Sequence, residues 1–266
     1  MAGATQEAAD ILSEAASAVA FTGAGISTGS GLPDFRSESG IWERFDPEDF
    51  HVRTLRADPG VFWERWESLY STFFEDAEAE PNPAHEALAE MVRGGDLQAV
   101  ITQNADGLHQ AAGTPPEAVI ELHGSAKRVT CPHCSYEEPI EETVGRVRQG
   151  DRPPTCPDCA EPLEPDATLF GEVLPEGAID RARRLALGSD AFLVVGSSLS
   201  VEPAASLPEL AETAGAALIV DNLDPTPVDD RAAVRTDRPA EEFLPELRRL
   251  LGGGTADRSR DGESAP

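Results

Sequence analysis

The sequence predicts an α/β fold, a doubly wound parallel sheet interrupted by a small module. Short apolar runs recur at Ala18-Val19-Ala20-Phe21, Leu97 to Thr102, Ala191 to Val195 and Ala217 to Val220, with the length of strands buried on both faces. Helical patterns fall between them, the alternation that builds a parallel sheet. Each run ends in a Gly-, Ser-, Asn- or Asp-rich turn. The strands therefore share a polar edge, and an open α/β sheet binds its ligand at the carboxyl ends of its strands.

Residues 5–17 carry Ala8, Ile11, Leu12, Ala15 and Ala16 at helical spacing, an amphipathic helix leading into the first strand. That strand stops at Gly23-Ala24-Gly25-Ile26-Ser27, where residues without side chains let backbone N–H groups approach a phosphate. A hydride-transfer dehydrogenase would want glycine at the position of Thr28, and a second strand soon after. The chain continues instead with Pro33-Asp34-Phe35-Arg36 and then WERFDPEDF, which is no buried strand. Residues 37–80, dense in aromatics and acids, read as small helices packed as a lid or side module, most of the aromatics being ordinary core.

Pro83-Ala84-His85 opens the next helix and Gly94-Gly95 closes it. The second strand, Leu97 to Thr102, runs into Gln103-Asn104-Ala105-Asp106-Gly107-Leu108-His109. Asn104 and Asp106 together can donate to and accept from a carboxamide, although such a pair is also common in Asx turns. After Ile120-Glu121-Leu122, His123 precedes Gly124, a position from which an imidazole base could project from a strand end. A structural histidine is the alternative there, and it is the main reading for His51, His85 and His109. A cysteine module extends to about residue 165, followed by helix EGAIDRARRLAL and the strand ending at Gly196-Ser197-Ser198. A helix over 203–214, the strand ending at Asp221-Asn222, the helix EEFLPELRRLL and a disordered tail over 253–266 complete the chain.

Cys131 and Cys134, then Cys156 and Cys159, form two C-x2-C knuckles. Such pairs place four thiolates tetrahedrally, as a closed structural zinc site demands, with disulfides or free thiols as the other uses. His133 between the first pair reads as a spacer.

Composition narrows the partners. The 266 residues hold 49 Asp and Glu against 21 Lys and Arg, a net charge of −28, and Lys127 is the only lysine. Such a field repels nucleic acid and anionic membrane, so neither is expected as a direct partner. It also disfavours the compact state unless salt screens it, which points to a salt-loaded cytoplasm. With no apolar membrane span and no basic, apolar N-terminal segment, a soluble cytoplasmic protein is expected.

Taken in order, GAGIS and GLPDFR at 23–36, TQNADGLH at 102–109, HG at 123–124, the paired knuckles, LFGE at 169–172, GSSL at 196–199 and Asn222 resemble the motifs of the sirtuins, NAD-dependent protein deacylases. The resemblance runs from about residue 5 to residue 250. It implies a Rossmann-like large part (1–36, 82–124, 166–252) and a small domain made of a helical module (37–81) and a zinc ribbon (125–165). It implies that an acetyl-lysine protein substrate and NAD meet between them, nicotinamide leaves, and the acyl group ends on ADP-ribose.

The resemblance also assigns roles. Gly23, Ala24, Gly25, Ser27 and Arg36 would hold the phosphates and neighbouring ribose, and Phe35 would shield the sugar carbon from water. Gln103 would hold ribose hydroxyls, Asn104 and Asp106 would seat the carboxamide, and His123 would be the general base. Gly196, Ser197, Ser198, Asn222 and the backbone of Ala240 would hold the adenosine half. Phe170, Gly171, Glu172, Val201 and Glu202 would flank the substrate peptide as an added strand. The chain departs from the family pattern at Glu164, where a basic residue is usual, and at Ala167 and Thr168, where β-branched apolar residues are. A mono-ADP-ribosyltransferase on the same scaffold is the second function class, and a zinc-ribbon binding module without enzymology a third.

Overall fold

A computed structural model describes residues 2–34, 40–75 and 79–254. Its helices are α1 (Ala2–Glu14), α2 (Ile41–Arg44), α3 (Val52–Ala57), α4 (Pro59–Tyr70), α5 (Pro83–Gly94), α6 (Leu108–Ala111), α7 (Ile140–Arg148), α8 (Glu176–Leu187), α9 (Leu207–Thr213) and α10 (Ala240–Gly254). Its strands are β1 (Ala18–Thr22), β2 (Ala99–Thr102), β3 (Val119–Glu121), β4 (Arg128–Thr130), β5 (Glu137–Pro139), β6 (Glu164–Pro165), β7 (Ala191–Val195), β8 (Ala217–Asp221) and β9 (Val234–Thr236). Among the described residues no helix is long and apolar enough to cross a membrane.

Six strands form one sheet in the order β3-β2-β1-β7-β8-β9, and every neighbouring pair is parallel. The strands are apolar at successive positions because helices cover both faces. Ala20, Val100, Leu193 and Ile219 point to one face, where Leu12 of α1, Leu88 and Met91 of α5, and Phe243 and Leu247 of α10 pack. Their chain neighbours Val19, Phe21, Ile101, Phe192 and Val194 point to the other, against Ile179 and Ala182 of α8 and Leu207 and Ala211 of α9. Strand order reverses between β1 and β7, the two central strands. That pair is the switch point at which a Rossmann-like sheet opens its crevice.

The predicted strands were found, with edges moved. The first helix begins at Ala2 and ends at Glu14, the segment 203–214 is a 3-10 turn (Ala204–Ser206) leading into α9, and the last helix extends to Gly254, into the segment read as tail. Residues 255–266 lie outside the described residues.

A third core lies away from the large sheet. Phe50, Phe62, Trp63, Trp66, Leu69 and Phe73 pack with Val129, Cys131, Ile140, Val144, Cys156 and Leu163, so the aromatic helices and the cysteine module share one interior. Trp63 Nε1 donates to Leu163 O at 2.9 Å across it. Asp58 caps α4 by accepting from Val61 N, with Pro59 at the first helical position. The cysteine module is a small antiparallel sheet, β5-β4-β6, plus α7.

Charge and salt have opposing effects on this fold. Arg148 on α7 pairs with Glu67 of α4 and Glu75 of the π-turn Ser71–Glu75, and Arg231 with Glu209 and Glu212. Salt weakens such exposed pairs, but each contributes only about 0–1 kcal/mol. The carboxylate excess behind the net charge of −28 repels itself throughout, and the screening length falls to about 3 Å at 1 M salt. Relief of repulsion wins, so the melting temperature is expected to rise by several degrees or more between about 0.1 M and molar salt. A melting temperature independent of salt over that range contradicts this.

Candidate functional site

The turns after β1 and β7 meet backbone to backbone. Gly23 N donates to Val195 O at 3.2 Å and Gly25 N to Gly196 O at 2.8 Å. A Cβ on Gly25 would lie 2.7 Å from Gly196 Cα, and one on Gly196, whose φ is +61°, would lie 2.4 Å from Ile26 N. The glycines are thus required first for closing the switch point. The Gly25 N–H, expected to be free for a phosphate, is engaged by Gly196, and the N–H groups of Ile26 and Ser27 close the turn onto Gly23 O and Ala24 O.

Ser27 is buried beneath this turn. Its hydroxyl donates to Asp106 Oδ2 at 2.7 Å and accepts from Asn104 Nδ2 at 3.1 Å and His85 Nε2 at 3.4 Å. One donor and two acceptors exhaust a hydroxyl, so Ser27 organises the site from below, with nothing left for a phosphate. Asp106 is held at both oxygens, its Oδ1 accepting from Leu108 N at 2.9 Å, and the remaining lone pairs of the carboxylate can still accept from a ligand. Asn104 donates through Nδ2 to Gly23 O at 3.2 Å and through its backbone to Thr102 Oγ1 at 3.0 Å. Its Oδ1 is buried with no hydrogen-bond partner among the described residues. A buried acceptor left open costs roughly 1–3 kcal/mol, which marks Asn104 Oδ1 as a group kept for a ligand.

Two histidines read as structural support this floor. His85, held in the capping box of α5 by Asn82, is pushed down to about 4, chiefly by burial, with the Asp106 carboxylate opposing. His109, fully buried against Thr22 Oγ1 at 2.9 Å, is pushed down to about 3 by burial and by the neighbouring His85. Both are therefore neutral near pH 7. Asn82 Nδ2 also donates to Ile26 O at 2.8 Å, tying α5 to the glycine turn. Sequence reasoning missed Thr22, Asn82, His85, Thr102 and His109 as site-building residues. A hydroxyl ending two neighbouring apolar runs, Thr22 beside Thr102, was the signal available.

His123 stands above the same strand ends. Its Nδ1–H donates to Gln103 O at 2.6 Å, which leaves Nε2 as the unprotonated nitrogen of the neutral ring. Burial holds its pKa below the ordinary histidine value, the carbonyl partner opposing. Gly124, at φ +65°, has no room for a side chain, since a Cβ would lie 2.0 Å from Asp166 O. His123 O accepts from Thr168 N at 2.8 Å, and Ala126 N donates to Ala105 O at 2.9 Å. The loop from β2 and the return from the cysteine module therefore both fix the imidazole.

Gln103 Nε2 donates to Ser197 Oγ at 2.7 Å, joining the ends of β2 and β7. Further along the edge Ser198 shares a hydrogen bond with Ser200 at 2.7 Å, Asn222 N donates to Thr236 O at 3.1 Å, and Ala240 opens α10. Beside Asn222 the buried Asp221 accepts from the Thr236 hydroxyl and from Arg238 N, and burial pushes it up to about 6. Phe170 and Val201 are apolar yet 44% and 43% exposed. Phe170, Gly171 and Glu172 lie in a turn closed by Glu172 N on Leu169 O at 3.1 Å. Phe35 and Arg36 lie outside the described residues.

The four cysteines converge. Sγ–Sγ separations are 3.4 Å for Cys131 and Cys159, 3.6 Å for Cys134 and Cys156, and 3.8 Å for Cys134 and Cys159, and all four lie within 4.8 Å of one another. Zinc bound tetrahedrally at about 2.3 Å per sulfur needs sulfurs about 3.8 Å apart. The donor set fits structural zinc, and a disulfide bond is present at neither pair.

Known proteins are similar to this chain over most of its length. The Sir2 family model matches residues 23–203. An NAD-dependent protein deacetylase of Haloarcula marismortui is 48% identical over 240 residues, covering 90% of this chain and 91% of its own. An NAD-dependent protein deacylase 2 of Archaeoglobus fulgidus is 43% identical over 244 residues, covering 91% and 94%. Among solved structures, a Sir2 with a p53 peptide and NAD+ superposes with a TM-score of 0.80 at 36% identity, covering 94% of this chain and 98% of that one. Sir2Af2 bound to a myristoylated histone peptide gives 0.77 at 37% identity, covering 97% and 100%. With the family model matching residues 23–203 and relatives 48% and 43% identical matching it nearly end to end, this protein belongs to the Sir2 family.

Proposed function

We propose that this chain is an NAD-dependent protein-lysine deacetylase that moves the acyl group of acyl-lysine to ADP-ribose and releases nicotinamide. The observation that carries the reading is His123 beside Asn104: a neutral base with Nε2 free, at the same strand ends as a buried, open carboxamide oxygen. NAD supplies the glycosidic carbon from which nicotinamide leaves and the ribose that receives the acyl group. The chain's own residues do the rest. Ala24, Gly25, Gln103, Ser197, Ser198, Asn222 and Ala240 line the strand-end edge that would hold the dinucleotide, with Arg36 and Phe35 assigned by motif alone. Asn104 and Asp106, held by Ser27, present one fixed polar surface to the carboxamide half. His123 takes a proton at Nε2, and its Nδ1–H bond to Gln103 O keeps that nitrogen the basic one. Zinc on Cys131, Cys134, Cys156 and Cys159 would be structural, with no open position for chemistry.

The division proposed for the chain sets this large Rossmann-like part against a small domain of helical module and ribbon, and the shared third core supports treating the latter two as one unit. A cytoplasmic protein acting on acyl-lysine proteins is the corresponding cellular reading. The ADP-ribosyltransferase alternative is not favoured, since the relatives are named deacetylase and deacylase. The test is nicotinamide release with and without an acetyl-lysine peptide in high salt. Release that requires the acetyl group supports the reading, and release from NAD at the same rate with the unmodified peptide overturns it.

The acyl preference is set by α4. Deacylases that remove acidic acyl groups carry a Tyr-x-x-Arg pair in this module, positions that fall on Trp66 and Leu69 here. Both are buried, Trp66 stacked 5.8 Å from Phe62, while Arg65 lies exposed and near Asp49 at 3.7 Å. A succinyl carboxylate entering among these rings would be desolvated with no guanidinium to pair it and only the Trp66 Nε1–H, unpartnered among the described residues, as a donor there, at a cost of a few kcal/mol or about a hundredfold in selectivity. Acetyl-lysine and other neutral acyl-lysines are therefore expected to be preferred. A succinyl kcat/KM equal to the acetyl value on one peptide contradicts this.

A further inference from the structure

His51, like the spacer His133 in the cysteine module, is used by neither the floor of the site nor its base, and its surroundings give it a task. It joins the end of the aromatic turn Pro47–Phe50 to α3, and it forms an isolated parallel bridge with Phe170. Two backbone bonds make that bridge: Phe170 N donates to Phe50 O at 3.2 Å, and Val52 N donates to Phe170 O at 3.0 Å. The segment read as flanking the substrate peptide is therefore pinned to the helical module by one bridge, which takes up both main-chain groups of Phe170.

The side chain reinforces the bridge. His51 Nδ1 accepts from Arg53 N at 3.1 Å, capping α3, so the neutral ring carries its proton on Nε2. The ring then lies flush against Gly171: a Cβ there would come 2.2 Å from Cε1, 2.6 Å from Nε2 and 3.1 Å from Nδ1. Gly171 has φ +82°, in the left-handed region that glycine tolerates and that the third position of this turn uses. Backbone conformation alone would permit asparagine there at moderate cost. The imidazole excludes every side chain. Trp42 closes the arrangement, its ring 5.2 Å from that of Phe170.

We propose that His51 is a positioning residue for substrate: its ring, held by the α3 cap, fixes the Leu169–Glu172 turn so that the Gly171 main chain, next to a Phe170 whose N–H and C=O are both spent on the bridge, is preformed for an incoming peptide backbone. The inference rests on the reading of Phe170 to Glu172 as the peptide wall. A strand added to an edge is bound through main-chain hydrogen bonds, so affinity depends on that edge being ordered before the peptide arrives. Among the described residues His51 is bonded to Arg53 N and lies against Gly171, so its loss is expected to act on peptide binding.

Two substitutions separate cap from ring. His51→Asn keeps an oxygen able to cap α3 but uncovers Gly171, and His51→Phe keeps a ring over Gly171 but loses the cap acceptor. Binding of a fluorescein-labelled acetyl-lysine peptide, read by anisotropy, is measured on each folded variant alongside steady-state KM for peptide, KM for NAD and kcat. His51→Asn is expected to weaken peptide binding and raise peptide KM about tenfold with kcat and KM for NAD within about twofold, the pattern of lost uniform binding. His51→Phe is expected to recover most of that loss. Unchanged peptide binding in His51→Asn overturns the proposal, as does a parallel fall of kcat and NAD affinity, which marks a general structural role. A wild-type protein that binds the peptide without deacetylating it refutes the proposed activity and leaves the anisotropy comparison to decide His51 by itself.

Discussion

Replacing His123 with alanine is expected to lower deacetylation about 10²–10⁴-fold, the usual loss when a general base is removed, with NAD binding near the wild-type value. The imidazole is held by Gln103 O and by the loop that Gly124 closes on Asp166, so alanine removes the base and its one bond to Gln103 O while the backbone bonds of the loop stay. The pH dependence has a definite sign. Burial lowers the His123 pKa below the ordinary histidine value, and the base works only when neutral. Activity therefore rises with pH through a point on the acid side of that ordinary value and is level by neutral pH. The alanine variant loses that rise. A variant that keeps more than a few per cent of wild-type turnover contradicts the assignment.

Removing zinc is expected to abolish activity and unfold the cysteine module together. The strands β4, β5 and β6 span at most three residues each, too little to persist without further support. Structural zinc contributes about 10–16 kcal/mol in small peptide sites, and there that energy is folding energy. The damage spreads beyond the module, since Cys131 and Cys156 share their core with Trp63 and Trp66 and the return segment at Asp166 to Thr168 pins His123. Chelation followed by tryptophan fluorescence and activity is expected to show both changing in step, and cysteine-to-alanine variants are expected to behave like the chelated protein. A fully active preparation without bound zinc contradicts this.

How far the sequence reveals these features depends on the kind of physics that fixes them. β1, β2, β7 and β8 are apolar at nearly every position because helices cover both faces, and such runs are visible without a structure. β9 has three residues with Arg235 in the middle, and its pairing comes from Ile219 to Asp221 across the sheet edge, which no local pattern records. The knuckles were legible because metal geometry dictates ligand spacing. The floor of the site was not: Ser27, His85, Asn104 and Asp106 meet through contacts 58 to 79 residues apart. The glycine turn was found for an incomplete reason. Gly25 and Gly196 exclude each other's side chains, a contact between two chain-distant turns that looks in sequence like a phosphate motif alone.

The most direct test of the central claim is to follow the acyl group itself. A peptide whose single acetyl-lysine carries a carbon-13 label is incubated with the protein and NAD in molar salt, and the products are weighed by mass spectrometry. The account predicts labelled acetyl-ADP-ribose appearing in step with deacetylated peptide and nicotinamide. Label released as free acetate from the outset, or ADP-ribose attached to a peptide that keeps its acetyl group, would contradict it.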